Sequence, residues 1–502
     1  MSLANSIPNP KNLQGLILRG FTHPYSCHLL FGFSNGDVTK NFFSDIFDKI
    51  QSAEDWGNQK PKSMINIGLT FGGIKKLSVI DENDLNNFAG TFINGPSAAA
   101  AQQSLGDWYD PNSKPETWWN GNTEAQVNLD CVVHVYGLTK DDLDKLVSDI
   151  STSANKNKLT EYYALKDDKR LYQSILGDDP SKIHFGYVDG ISNPSLKNSG
   201  FSGLASPEDI NNFVIGYGNN SISNSGPFDE STAADFAKDG CYNAFRIFHQ
   251  DVNTFNQFLK TQAKKYSTKL SFLGLNETEL EEWFAAKLCG RWRNGSPIML
   301  NPNKPSDSNE RNIKAENFGF EELTKQIPED VLKKFPSKAS ESSGSICPFS
   351  AHTRVANPRN QQLNTAREGT SGPPRILRRG MAYGPDLTSS KDDGKERGLI
   401  GLFLCGNLTT QFELLYGWMN FNDFSQPPVF STVKTPQDAL LGNRYYADAN
   451  NAVKSFIIPV KDPNNKSVDI TIPELPSFLA IRGTAYCLLP SISTLAKIAG
   501  KK

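Results

Sequence analysis

Residues 345–384 gather the groups best suited to hold a charged cofactor. They begin SICPFSAHTRVANPRN and end RILRRGMAYG, placing His352 among Arg354, Arg359, Arg375, Arg378 and Arg379 in a chain with only six histidines. One imidazole among many guanidiniums suits an anionic cofactor whose metal takes a single neutral nitrogen. Haem has that chemistry: a proximal histidine holds the iron, and arginines neutralise the propionates through bidentate, charge-assisted hydrogen bonds. The stretch alone also fits a phosphate or carboxylate site. A second stretch, HFGYVDGISNP (184–194), sets Asp189 between Gly186 and Gly190, in a turn where glycine admits positive φ. Read alone, Asp-Gly before Ile-Ser-Asn-Pro is an ordinary turn.

Strand-then-helix units must position these groups. CVVHVYGLTKDDLDKLVSDI predicts a strand at 131–136 and a helix with Leu143, Leu146, Val147 and Ile150 inward, and Thr139 with Asp142 has capping-box spacing. CYNAFRIFHQDVNTFNQFLKTQ (241–262) repeats the plan, with Asp251 as N-cap and Val252, Phe255, Phe258 and Leu259 inward. Two copies separated by the Gly/Asn/Ser-rich stretch 216–231 point to a duplicated chain, divided at 1–225 and 226–502. Residues 14–35 read as a strand, a connection and a second strand, and 64–75 as a strand broken at Gly72-Gly73. RGLIGLFLCGN reads as a buried strand, and TTQFELLYGWMN as a helix with Phe412, Leu415, Tyr416 and Met419 on its apolar face. Segments 301–316 and 337–345 read as solvated loops. His134 reads as a packed strand residue.

Glycine, two variable residues, aspartate and glycine, followed by a distant histidine and then an RRGxxYG arginine, resembles the dye-decolourising peroxidase family, in particular its longer-chain members. The segments NLQGLILRGF, NIGLTFGGIKKLSV, KLCGRWRNGSPI, GNLTTQFELLYGW and IRGTAYCLLPSIS extend the likeness in family order over nearly the whole chain. The resemblance implies an α+β fold of two ferredoxin-like lobes, of the dimeric α+β barrel type, with antiparallel sheets and peripheral helices. The N-terminal lobe carries the GxxDG motif, and the C-terminal lobe holds most of one haem b per chain. It also implies a peroxidase that reduces hydrogen peroxide through a ferryl state and oxidises phenols or dyes in one-electron steps. His352 then maps onto the iron ligand, Asp189 onto the distal acid/base, Arg378 onto the distal cation and Arg359 onto the propionate ligand. Gly190 and Ser192 go with the glycine motif on the cofactor side. Arg379, next to Arg378 on an extended segment, points the other way. Glu413 reads either as a solvated carboxylate or as the acceptor of the His352 Nδ1 proton. Gly401 stands where many relatives place an aromatic residue in the distal pocket, with Phe403 as its substitute. A haem-handling protein on the same fold is the alternative, and related chlorite-decomposing haem enzymes lack the aspartate motif. An aspartate base near its reference pKa implies an acidic optimum.

Hydrophobic residues at 38%, charged residues at 21% and a net charge of −2 describe a globular chain with no electrostatic case for nucleic acid or anionic membranes. No apolar run reaches spanning length. The start, MSLANSIPNPKNLQG, lacks a basic and an apolar signal region, so a cytoplasmic setting is the expectation. The seven cysteines, Cys27, Cys131, Cys241, Cys289, Cys347, Cys405 and Cys487, have no CxxC spacing and read as reduced. Cys347, five residues before His352, is the weaker candidate for an iron ligand. Expected partners are hydrogen peroxide and small aromatic reductants, with the chain a monomer or weak homodimer. Bulky donors would be oxidised through surface aromatics. Trp108, Tyr109, Trp118 and Trp119 are expected to be exposed, and Trp292 and Trp418 to be core.

Overall fold

The computed structural model describes residues 7–34, 36–177, 181–197, 205–217, 231–306, 316, 318–320, 343–359, 361, 373–422, 424, 437–445 and 454–501. Eight largely buried strands make its centre. In the N-terminal half these are β1 (Tyr25–Gly32), β2 (Ser63–Leu69), β3 (Cys131–Gly137) and β4 (Leu171–Ser174). In the C-terminal half they are β5 (Cys241–Gln250), β6 (Leu377–Tyr383), β7 (Gly398–Cys405) and β8 (Leu479–Leu489).

Each half runs in the order fourth-first-third-second: β4-β1-β3-β2, then β8-β5-β7-β6. All pairings among these eight strands are antiparallel. Two narrow seams join the halves, Leu69 opposite Leu488 and Gln173 opposite Tyr383, so the eight strands close into a barrel. Both halves therefore share the ferredoxin-like strand order. The division between 225 and 226 lies outside the described residues, as do most of 216–231 and parts of 301–316 and 337–345.

The barrel interior is filled by side chains. His28 and His134 meet through their Nδ1 atoms at 2.8 Å, and both rings pack against Phe245. Burial pushes His28 down to about 4 and lowers His134 as well, so the pair stays neutral. The reading of His134 as a packed residue agrees with this.

The helices differ between the halves. In the first, α1 (Gly36–Ile46) and α2 (Lys140–Lys156) pack over the sheet, and the Thr139 Oγ1 accepts the Asp142 N–H at the start of α2. In the second, α3 (Val252–Tyr266) is capped by Asp251, which accepts the Thr254 N–H. Its Val252, Phe255, Phe258 and Leu259 are buried, but against α4 (Glu277–Cys289) in a second core separate from the barrel. That displacement opens a space beside the sheet.

Two expectations are corrected. Residues 14–35 are not two strands, because 15–18 form one helical turn before β1. There the Gln14 side chain takes the Ile67 N–H, and Asn66 accepts the Leu16 N–H, replacing ladder bonds. Trp118 and Trp119 are buried, whereas Trp108 and Tyr109 are exposed; Trp292 is core and Trp418 partly so.

Candidate active site

The space beside the C-terminal half-sheet is a cavity of about 230 Å³, and chemistry-bearing residues from four segments line it. Strand register decides which arginine reaches it. Arg378 lies opposite Phe403, and Gly380 opposite Gly401, so these positions share the cavity face of β6 and β7. Arg379 turns its side chain the other way and donates to the Leu16 and Ile17 carbonyls. Burial drops its pKa to about 10.

Asp189 meets Arg378 from the glycine motif. Gly186 and Gly190 have φ of 88° and 81°, a region that favours glycine. The Asp189 N–H donates to the Ser181 carbonyl, and Val188 N–H to that of Arg293. Asn193 then holds the Arg378 backbone at two points: its Oδ1 accepts the N–H at 2.9 Å, and its Nδ2 donates to the carbonyl at 3.1 Å. Arg378 Nη1 donates to Asp189 Oδ1 at 2.9 Å. About a third of the Asp189 side chain is accessible, at 34%, and Asp189 lines the cavity. Burial alone would raise its pKa, but the Arg378 charge and the Gly190 N–H outweigh that and hold it below the usual value. Gly190 itself is exposed and does not line the cavity; its role is this N–H.

His352 opens α5 (His352–Ala356) and borders the same cavity. Its Nδ1 is 2.8 Å from Asp438 Oδ2, leaving Nε2 as the ring's other nitrogen. Asp438 is buried, and its Oδ1 accepts the Leu440 and Leu441 N–H groups, each at 2.9 Å. Burial opposes charge on both groups, yet each favours the other's charged form, so His352 is raised and Asp438 lowered. Asp189 and Arg378 both act on His352 by charge.

This corrects the reading of Glu413. It lies in a buried π-helical turn, Leu408–Glu413, that leads into α6 (Leu414–Phe421), and it accepts the Tyr486 hydroxyl at 2.9 Å. Asp438 fills the position beside His352 instead. No sequence pattern marks it, since it lies 86 residues away in the chain.

Arg359 is also placed differently from the expectation. It is not in the cavity lining, whereas Arg291, Arg375 and Ser192 are. Arg359 donates to the carbonyl and carboxylate of Glu316 instead. Arg291, in the GRW segment, received no role in the sequence reading. Phe403 does line the cavity, folded back over Gly401, where a Cβ would lie 2.5 Å from its ring. The ring also packs edge-on against Phe248. Cys347 is buried behind the lining.

No protein-family model matches the sequence. The dye-decolorizing peroxidase msp1 of Mycetinis scorodonius is 27% identical over 523 aligned residues, spanning 98% of this chain and 87% of that protein. A crystal structure of a fungal DyP-type peroxidase from Auricularia auricula-judae superposes with a TM-score of 0.75 at 23% identity, covering 99% of this chain and all of that one. A dye-decolorizing peroxidase solved with 2,6-dimethoxyphenol gives 0.70 at 24% identity, covering 98% and 100%. The curated relatives and solved structures that this chain resembles over nearly its whole length are dye-decolorizing peroxidases, and the structural likeness shows their fold.

Haem suits the donor set of this site. One imidazole faces the cavity with its second nitrogen fixed by a carboxylate, which holds a metal-ligating ring in one tautomer and orientation. Phe248, Ile376, Leu415 and Met419 make apolar walls, and Arg291 and Arg375 add cationic groups to the lining.

Proposed function

We propose that the protein is a haem peroxidase that reduces hydrogen peroxide and oxidises phenolic or dye-like donors one electron at a time. A single observation carries this: the Asp189–Arg378 pair and His352, which Asp438 holds from behind, border one largely apolar cavity. Mere haem storage needs the second pair but not the first. His352 would hold one haem b per chain, with Arg291 and Arg375 as the cationic groups available to its carboxylates, and the haem would supply the redox-active iron.

The chain's own residues handle the proton and the charge. With the haem in place, Asp189 would take the proton from one peroxide oxygen and return it to the other, which would leave as water on two electrons drawn from the haem. Arg378, fixed by Asn193, offsets the negative charge that grows as the O–O bond breaks. Because Arg378 keeps Asp189 ionised below the usual aspartate range, the base is available in acid. Asp438 holds the His352 ring and raises its basicity. Phe403 and Phe248 narrow the cavity, which suits a peroxide better than a bulky dye. The same proposal takes the protein as a monomer or weak homodimer and as cytoplasmic; its seven cysteines are free and buried, which fits a reducing compartment.

Stopped-flow absorption of the haem-loaded protein tests it. One equivalent of hydrogen peroxide is expected to shift the Soret band within seconds, and a phenolic donor to restore it. A Soret band indifferent to peroxide would favour haem handling, and failure to bind haem would overturn the reading.

A further inference from the structure

One buried carboxylate ties together three distant parts of the chain beside the cavity. Glu316, with a side chain 3% exposed, accepts the Ser192 hydroxyl at 2.9 Å and Arg359 Nη2 at 3.0 Å, and it pairs with Arg291. Its backbone carbonyl accepts Arg359 Nη1 at 2.6 Å. Ser192 comes from the glycine motif, Arg291 from the GRW segment and Arg359 from the segment after His352. Ser192 and Arg291 line the cavity, but Glu316 and Arg359 do not. Arg375, also in the lining, donates to the Ser192 carbonyl at 2.7 Å.

The charges do not cancel. Of three guanidiniums here, Arg291 and Arg359 both bond the Glu316 carboxylate, while Glu316 and Glu208 act on Arg375 through charge alone. Burial lowers the pKa of Arg291 and Arg359, and their mutual repulsion disfavours Arg291 further, while Glu316 opposes both effects. Phe318 completes the support, with the Arg359 guanidinium 3.8 Å and that of Arg291 5.6 Å from its ring centre. Arg359 is held at φ 54°, a conformation that a non-glycine residue adopts where its surroundings impose it.

We infer that Glu316 is a positioning residue: from behind the cavity it fixes Arg291 and Ser192, and through Ser192 Arg375, as the cationic edge that receives the two carboxylates of the cofactor. Glu316 does not touch the ligand. Without it, Arg291 and Arg359 lose the carboxylate that both of them bond, and Arg291 keeps its donation to the Gly295 carbonyl but not this charged contact. The inference rests on the haem reading above and adds to it which carboxylate orders the edge.

The test is hemin titration of the full-length apoprotein, followed by the Soret band, for wild type, Glu316→Gln and Glu316→Asp. Each is titrated with hemin and with hemin dimethyl ester, which lacks the carboxylates. Glu316→Gln is expected to weaken hemin binding by about tenfold, the loss of one charge-assisted contact, and Glu316→Asp to recover part of it. The ester is expected to bind the wild type and Glu316→Gln equally. Unchanged hemin affinity in Glu316→Gln overturns the inference while leaving the haem reading intact. A tenfold loss with both hemin and its ester also overturns it, because the role is then structural only. A wild type that binds neither removes the haem reading and this inference together.

Discussion

The two halves of the barrel share a strand order and differ in where their helices dock. In the N-terminal half α1 and α2 press on the sheet, so its outer face is ordinary core. In the C-terminal half α3 buries its apolar stripe against α4, and the outer face of β6 and β7 looks into the cavity. A duplicated fold thus became a scaffold for chemistry without a change in strand order. Lifting one helix exposed one face of one half-sheet. Arg378 and Arg379 show the consequence at the scale of adjacent residues: one reaches the cavity and Asp189, the other caps carbonyls of the 15–18 turn. The histidines divide likewise, with His352 at the cavity and His28 with His134 inside the barrel.

Substitutions on the two sides should separate function from stability. The largest contrast is between histidines. His352→Ala is expected to abolish the Soret band on hemin titration with the fold retained. His134→Ala should keep hemin binding and cost about 1–3 kcal/mol in denaturant unfolding, because it strands a buried partner. Equal haem loss in both would erase the distinction.

Next come the adjacent arginines. Arg378→Leu should retain haem yet slow its reaction with peroxide by about 10²–10³, the scale for removing a preorganised charge-stabilising donor. Arg379→Leu should leave that rate per haem unchanged and lower the unfolding midpoint. Stopped-flow traces on both variants decide whether register alone assigns the roles.

A smaller effect is expected on the His352 side. Asp438→Asn should lower haem affinity or turnover by about 10–100-fold, as loss of a ligand-orienting carboxylate does. Glu413→Gln, whose partner is Tyr486, should change neither. The reverse result would restore the sequence-based reading of Glu413.

The smallest effect is in pH dependence. His28 is depressed to about 4 by burial, so the unfolded chain binds its proton first. Stability from the neutral ring is then present above the unfolded value of about 6.5 and lost as pH falls toward 4. Asp189 is also depressed, but as a carboxylate: its contribution is present above the ordinary aspartate range and lost only as pH falls through its lowered pKa. Barrel stability should therefore weaken at mildly acidic pH while the distal ion pair persists. His28→Gln should flatten the stability curve between those limits without moving the acid limb of peroxide reactivity.

Local pattern was enough for the strands at 131–137 and 241–250, the capped helices that follow them, and the apolar face of Phe412, Leu415, Tyr416 and Met419. Period, caps and turn residues act over a few neighbours, so they can be read from a single chain. The glycine motif and the histidine-arginine stretch were legible as types and spacing, which is why Asp189, His352 and Arg378 were named before any geometry. Pairings across long separations were not legible. Asp438 reaches His352 over 86 residues and Glu316 reaches Ser192 over 124. Glu413 and Arg359 were given partners that the fold assigns elsewhere. Sequence order carries periodicity and chemistry, but which buried charge meets which is set by the seams of the barrel and by where α3 docks. Those are properties of the closed chain alone.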